Sequence, residues 1–159
     1  MTSLRARAAE GFRNGDTFEI SRRFTTAEIA SFAGISRDYN PVHCDSDYAA
    51  LKGMRAPIAH GLLTASLVTE IGGQIGWLAM DMSFRFRRPV YPEETLTCTW
   101  VIREIDGNGR AMADVAIVNE AGVTVLEAET TGVLPDANQR QQLKKMLAAG
   151  DPANGVANP

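Results

Sequence analysis

Residues 59 to 71, AHGLLTASLVTEI, carry Leu62, Leu63, Leu67, Val68 and Ile71 at helical spacings, fill the gaps with Thr64, Ala65 and Ser66, and admit one charge, Glu70. Such a helix is apolar nearly all round, and a face left in water would waste its hydrophobicity, so it must be surrounded by protein. The pair Gly72-Gly73 is its predicted end. Whatever else folds here has to supply a surface that wraps a helix.

The second half of the chain supplies one. From Met80 the apolar period changes from helical to alternating, with Met82, Phe84 and Phe86 on one face and Ser83, Arg85 and Arg87 on the other. TLTCTWVIREI follows, with Leu96, Cys98, Trp100 and Ile102 on a shared face, then RAMADVAIVN and VTVLEAETTGVL. DGNG at 106 to 109 and EAG at 120 to 122 are short Gly-bearing turns that join antiparallel neighbours, so these strands form a meander. RPVYPEE, holding Pro89, Pro92, Glu93 and Glu94, is a connector between the first strand and the second. An early strand near Thr17 to Phe24 completes the sheet. Thr25 and Glu28 make a capping box ahead of Ile29, Phe32 and Ala33, and Gly34 is the predicted stop of that short helix.

A wholly apolar helix and an antiparallel sheet of long strands define an α+β fold, a curved sheet wrapped round a central helix. The expected organisation is an N-terminal extension at 1–16, one domain at 17–135, and a C-terminal helix with a flexible tail at 136–159. The tail, AAGDPANGVANP, is too small and polar to hold one conformation. One sheet has open edges, and covering them predicts a homodimer with a sheet continuous across it.

Between the two helices lies SRDYNPVHCD, residues 36 to 45. Pro41 fixes its own φ and pushes Asn40 out of the helical region, which makes the segment locally rigid. Asp38 and His43 flank that pair, an ionised acceptor and a group that titrates near neutrality, and together they are suited to managing water and a proton. The competing reading is that Asp38 and Asp45 cap short helices and His43 is packing. Adjacent residues on an extended segment point to opposite sides, which argues against a Cys44 nucleophile beside His43. A metal site needs three or four converging ligands, and with two imidazoles, no HExxH and no CxxC none is expected.

At 55 to 67, RAPIAHGLLTASL, His60 and Gly61 stand at the first turn of the apolar helix, where unpaired N–H groups carry partial positive charge. Gly61 lets a carbonyl oxygen approach its amide, as an oxyanion site requires, or it relieves crowding against the sheet; both readings stand at this point.

Charge and cysteine content narrow the classes. A formal charge of -3 and a pI near 5.4 give no basic footprint for nucleic acid. Two cysteines, Cys44 and Cys98, fit a reducing compartment, and with no signal-like N-terminus or span-length apolar run the expected location is cytoplasmic, with no membrane partner. Arg85, Arg87 and Arg88, with Arg55, suit the phosphates of coenzyme A or a phosphopantetheine arm, or form a solvated strand face. GGQIG at 72 to 76 follows a helix and is no dinucleotide fingerprint.

Taken together, SRDYNPVHCD and APIAHGLLTASL resemble the MaoC-like hydratase/dehydratase family, which includes the (R)-specific enoyl-CoA hydratases. The Asp-x-Asn-Pro-hydrophobic-His-x-Asp pattern falls on Asp38, Asn40, Pro41, Val42, His43 and Asp45, and a Pro-hydrophobic-x-His-Gly helix start follows it. The resemblance covers roughly 17 to 134 and implies the hotdog fold. It also implies that Asp38 and His43 hold and activate a water and that the Gly61 amide polarises a thioester carbonyl. Asn40, His60, Thr69, Arg85 and Arg87 are the candidate substrate-binding residues; Thr69 stands for a serine that related hydratases carry in the central helix, and Ser36-Arg37 replace a glycine common before the aspartate. The implied reaction is reversible syn hydration of a trans-2-enoyl-CoA to the (R)-3-hydroxyacyl-CoA. It uses no cofactor apart from the coenzyme A of its substrate. The alternatives are an acyl-CoA thioesterase and a non-catalytic acyl-CoA or acyl-carrier binding protein on the same fold.

Overall fold

The computed structural model describes residues 3–150. Its five strands, β1 (Thr17–Arg23), β2 (Leu78–Phe86), β3 (Thr95–Ile105), β4 (Arg110–Asn119) and β5 (Thr124–Val133), pair antiparallel in the order β1-β3-β4-β5-β2. The hairpins β3-β4 and β4-β5 are the predicted meander, and β2 returns to lie on the far side of β5. Side chains of one face line up across all five strands. Phe18 pairs with Trp100, Trp100 with Val115, Val115 with Ala128, and Ala128 with Phe84. The next row is Ile20, Cys98, Ile117, Leu126 and Phe86. Alternation in the sequence therefore becomes one continuous apolar surface.

The helices are α1 (Leu4–Glu10), α2 (Thr26–Ser36), α3 (Ser46–Leu51), α4 (Gly61–Ile75) and α5 (Ala137–Ala148). Helix α4 lies on the apolar surface, burying Leu63, Leu67, Val68, Ile71 and Ile75 against Trp100, Ile102, Ile117 and their neighbours. Trp77, just past α4, meets Trp100 edge-on at 5.0 Å between ring centroids. This is the sheet-round-a-helix arrangement, the hotdog fold of the α+β class.

Two helix ends and one matter of enclosure differ from expectation. Helix α4 runs through Gly72 and Gly73 and stops at Gly76, whose φ of 73° closes it. Gly72 is buried beneath Trp77 and Trp100, so packing holds it helical where local propensity alone would end the helix. Helix α2 runs past Gly34 to Ser36, and the left-handed residue is Arg37, at φ 58°. Ser36 terminates it with both partners of its hydroxyl, donating to the Phe32 carbonyl and accepting from the Asp38 amide. The third difference concerns enclosure. Leu62, Thr69 and Gly73 share one exposed stripe of α4, with Leu62 62% exposed, so a single chain does not surround this helix.

The N-terminal segment is part of the fold. Arg5 of α1 is buried, and its guanidinium donates to the carbonyls of Gln74 and Gly73, two groups left unpaired at the C-terminal end of α4. Helix α5 packs against α1, and Lys144 pairs with Glu10 at 3.0 Å. Of the predicted flexible tail, 151 to 159 lies outside the described residues.

The capping box at α2 is present in both directions: Glu28 N–H donates to Thr25 Oγ1, and Thr25 N–H to the Glu28 carboxylate. Arg22 of β1 bridges Glu28 and Glu70, tying α2 to α4. The Thr25 amide first, and then Arg22, hold the Glu28 carboxyl below its ordinary value. A depressed carboxylate stabilises the fold at neutral pH, and that increment is lost as pH falls below the ordinary glutamate value of 4.5 and through the lowered one. Thr25→Ala is expected to destabilise the protein by about 1 kcal/mol, read as a lower urea midpoint at unchanged slope.

Candidate active site

The segment between α2 and α4 is built from local side-chain-to-backbone bonds. Asp38 Oδ1 accepts from the Asn40 amide, Asn40 Oδ1 from the Val42 amide, and Asp45 Oδ1 from the Tyr48 amide, capping α3. Between Asn40 and Asp45 the chain makes one 3-10 turn, Pro41–His43, begun by the proline. The capping reading is therefore correct for Asp45. Asp38 is different, because its second carboxylate oxygen is left facing His43.

Two bonds splice this loop to the lead-in of α4. The Ile58 amide donates to the Val42 carbonyl at 3.0 Å, and His43 Nδ1 lies 2.8 Å from the Ile58 carbonyl. A carbonyl only accepts, so Nδ1 carries the proton and His43 Nε2 presents its lone pair. That lone pair faces Asp38 Oδ2 at 3.8 Å, too long for a direct hydrogen bond and suited to one water held by both. The His43 side chain is 10% exposed and that of Asp38 is 51% exposed, so the pair lies at a boundary between protein and solvent.

Asp38, His43 and Gly61 line one cleft of about 510 Å³, walled by Met54, Ile58, Leu62 and Phe86. Helices α1, α2, α3 and α5 all begin with a side-chain cap, from Ser3, Thr25, Asp45 and Asp136, and α4 begins with none. Its first-turn amides are left for whatever occupies the cleft. At Gly61 a Cβ would stand 2.8 Å from the Phe86 ring, so both readings of this glycine find a physical basis. Asp38 and His43 also line a smaller hollow of about 230 Å³ on the α2 side, with Ile29, Ala30, Tyr39 and Cys44.

The candidate substrate-binding residues divide. Arg87 lines the cleft, with its guanidinium held by Glu127 through Nε at 2.8 Å and Nη2 at 2.6 Å. Arg85 pairs with Glu129 and does not line the cleft. Arg88 lines it and donates to the Arg87 carbonyl, with no ion pair among the described residues. Arg55 is held away by Glu94 and the Tyr91 ring. Asn40 serves as the cap of the 3-10 turn. Thr69 is exposed on the open stripe of α4, donating to the Ser66 carbonyl, and does not reach the cleft within this chain. The hydroxyl residue that does is Thr64, one turn after Gly61; the spacing i, i+3 from that glycine is the signal that would have found it. His60 is 1% exposed, behind the cleft wall.

Asp38, His43 and His60 bring three possible ligand atoms within 4.8 Å of one another. The two imidazoles are stacked 3.8 Å apart at 26°, so their in-plane lone pairs run side by side and do not meet at the roughly 2 Å reach of a zinc ion. Cys98 is buried in the core, and burial, with Glu70 and Glu19 adding to it, pushes its thiol up to about 12, so no thiolate nucleophile is available there.

Residues 13–124 match the family model of the MaoC-like domain. Among curated relatives, the (R)-specific enoyl-CoA hydratase of Aeromonas caviae is 30% identical over 133 residues, 80% of this chain and 99% of that protein. The mitochondrial 3-hydroxyacyl-[acyl-carrier-protein] dehydratase of Arabidopsis thaliana is 27% identical over 134 residues, 80% of this chain and 81% of its own length. The solved structure of the A. caviae (R)-hydratase involved in PHA biosynthesis superposes with a TM-score of 0.74 at 30% identity, over 79% of this chain and 99% of that one. On the family match, the fold and an overlap that covers four fifths of this chain, the chain belongs to the MaoC-like dehydratase family.

Proposed function

We propose that this protein catalyses the reversible syn addition of water to a trans-2-enoyl thioester, giving the (R)-3-hydroxyacyl thioester. The observation that carries the reading is the convergence of Asp38, His43 and the uncapped start of α4 on one cleft. The water sits between Asp38 Oδ2 and His43 Nε2. As its oxygen bonds to C3, His43 takes one of its protons, and the π electrons of the C2–C3 bond move toward the thioester carbonyl. The resulting enolate oxygen is held at the Gly61 amide, where the charge of the helix N-terminus is favourable to it. The Asp38/His43 pair then returns a proton to C2, so one water is consumed and nothing else is released. No cofactor takes part. The (R) configuration and the thioester substrate are proposed here on the names of relatives such as the (R)-specific enoyl-CoA hydratase of Aeromonas caviae.

Arg87 and Arg88 stand at the cleft and suit the phosphates of the coenzyme A or phosphopantetheine arm. Of the two, Arg88 has the guanidinium that no carboxylate among the described residues already holds, which makes it the stronger grip. A homodimer belongs to the same proposal. The nine-residue β2 is an edge strand, and its last residue Phe86 and the α4 residue Leu62 are 55% and 62% exposed, an apolar surface that a second copy would cover. No helix among the described residues is long and apolar enough to cross a membrane. A cytoplasmic location is proposed on the two free cysteines.

The test is the ultraviolet absorbance of crotonyl-CoA with purified protein, and a thiol reagent in a parallel cuvette. Loss of the conjugated enoyl signal without thiol release is the expected result. Thiol release would replace the hydratase with a thioesterase. A silent assay across several enoyl-CoA lengths, followed by turnover on an enoyl-carrier protein, would reassign the carrier; silence on both would leave a binding protein.

A further inference from the structure

We infer that His60 is a positioning residue for the Asp38–His43 pair, acting through its Nε2–H and not through contact with substrate; this rests on the hydratase reading of that pair. His60 is 1% exposed and stands outside the cleft lining, yet it touches both members. Its Nε2 lies 3.0 Å from the backbone carbonyl of Asp38, and its ring stacks on the His43 ring at 3.8 Å between centroids. Because the Asp38 carbonyl only accepts, Nε2 must carry the proton, and Nδ1 is left as a bare lone pair. That Nδ1 is buried and has no hydrogen-bond partner among the described residues.

The unpartnered nitrogen is what separates positioning from packing. A buried acceptor with no donor costs free energy that a hydrocarbon ring of similar shape would avoid. The rest of the surroundings are what a phenylalanine would accept: the Phe32 ring at 5.1 Å on one side and the His43 ring on the other. One atom of His60 therefore explains its polarity, the Nε2–H that holds the Asp38 carbonyl. Together with the Ile58 carbonyl on His43 Nδ1, this fixes each catalytic side chain from behind. Asp38 is held by its own backbone, and His43 is held in the tautomer and plane that aim Nε2 at the water. His60 stands directly before Gly61, so the same turn of chain that offers the α4 amide also sets the distance between the acid and the base.

The experiment compares His60→Phe, which keeps a stacked ring and loses the donor, with His60→Gln, which keeps a donor able to reach the Asp38 carbonyl and loses the ring. In the enoyl-thioester assay His60→Phe is expected to lower kcat about 10-fold with KM within about 2-fold, the scale of one lost hydrogen bond. His60→Gln is expected to stay within about 3-fold of the unmodified kcat. The chain has two histidines, so nitrogen NMR of the rings reads each tautomer without overlap. His43 is expected as the Nδ1–H form and His60 as the Nε2–H form, and His43 is expected to keep its tautomer in His60→Phe, because the Ile58 carbonyl still holds its Nδ1.

Unchanged kcat in His60→Phe overturns the inference, as does a His60 ring found in the Nδ1–H form, or a raised KM at constant kcat, which would make His60 a substrate contact. Equal losses in both variants, in step with lowered melting temperatures, would reduce it to packing. If His60→Phe does not fold, His60→Gln decides alone: kcat near the unmodified value supports the inference, and a 10-fold loss overturns it. Absence of turnover in the unmodified protein sinks the hydratase reading, and the tautomer spectra still judge the positioning.

Discussion

Asp38→Asn and His43→Gln are each expected to lower kcat/KM on a trans-2-enoyl thioester by about 10³-fold, within the usual range for removing a general acid or base. The fold is expected to survive the first substitution intact. The Asp38 side chain is half exposed, and its one structural bond, Oδ1 accepting from the Asn40 amide, is available to an asparagine oxygen. What asparagine lacks is the charge that holds the water against His43 Nε2. The double variant is expected to lose no more than the worse single variant, since one water is shared between the two groups and either loss abolishes its activation. The measurement is the enoyl absorbance decay for all four proteins beside their urea midpoints. Losses that multiply would mean two independent contributions and would rule out a shared water, and a midpoint that falls with activity would make the effect structural.

The features legible in the sequence are those set by short-range pattern. Strict alternation in 95–105 and 110–119 placed β3 and β4 to the residue, because an inward side chain every second position admits one register. Asp38, His43 and Gly61 were legible from a ten-residue motif and a helix start, and the structure brings them to one cleft through the Val42–Ile58 and His43–Ile58 bonds. What was not legible depends on partners distant in the chain. Arg85 and Arg87 lose their freedom to Glu129 and Glu127, which reach them because β2 lies against β5, a pairing that the connector at 88–94 gives no hint of. Gly34 and Gly72-Gly73 read as helix stops locally, and the true ends at Arg37 and Gly76 follow from the Ser36 hydroxyl and from the two tryptophans over Gly72. Helix α1 was hidden because its anchor is Arg5, a residue type that sequence patterning assigns to the surface.

Gly61→Ala is expected to lower kcat about 10²-fold while leaving the fold standing, on the magnitude found for losing one oxyanion donor. The two readings of this glycine predict different partners for the damage. If the residue is small only to relieve crowding, the added Cβ, 2.8 Å from the Phe86 ring, is the whole problem, and shortening the ring should cure it. Phe86 ends the edge strand β2, walls the cleft and in the proposed dimer lies under the second copy, so the single variant Phe86→Ala is measured beside the double one to show what the ring itself contributes. The double variant Gly61→Ala with Phe86→Ala is therefore the deciding protein. With room restored, a crowding glycine would give back the kcat of Phe86→Ala alone. An oxyanion glycine would not, since the methyl group still stands between the thioester oxygen and the amide it must approach. The expected result is that the double variant recovers stability, seen in its urea midpoint, and keeps the kcat deficit. Recovery of both would strip Gly61 of its chemical role and leave the developing charge to be held by another amide of the first turn of α4.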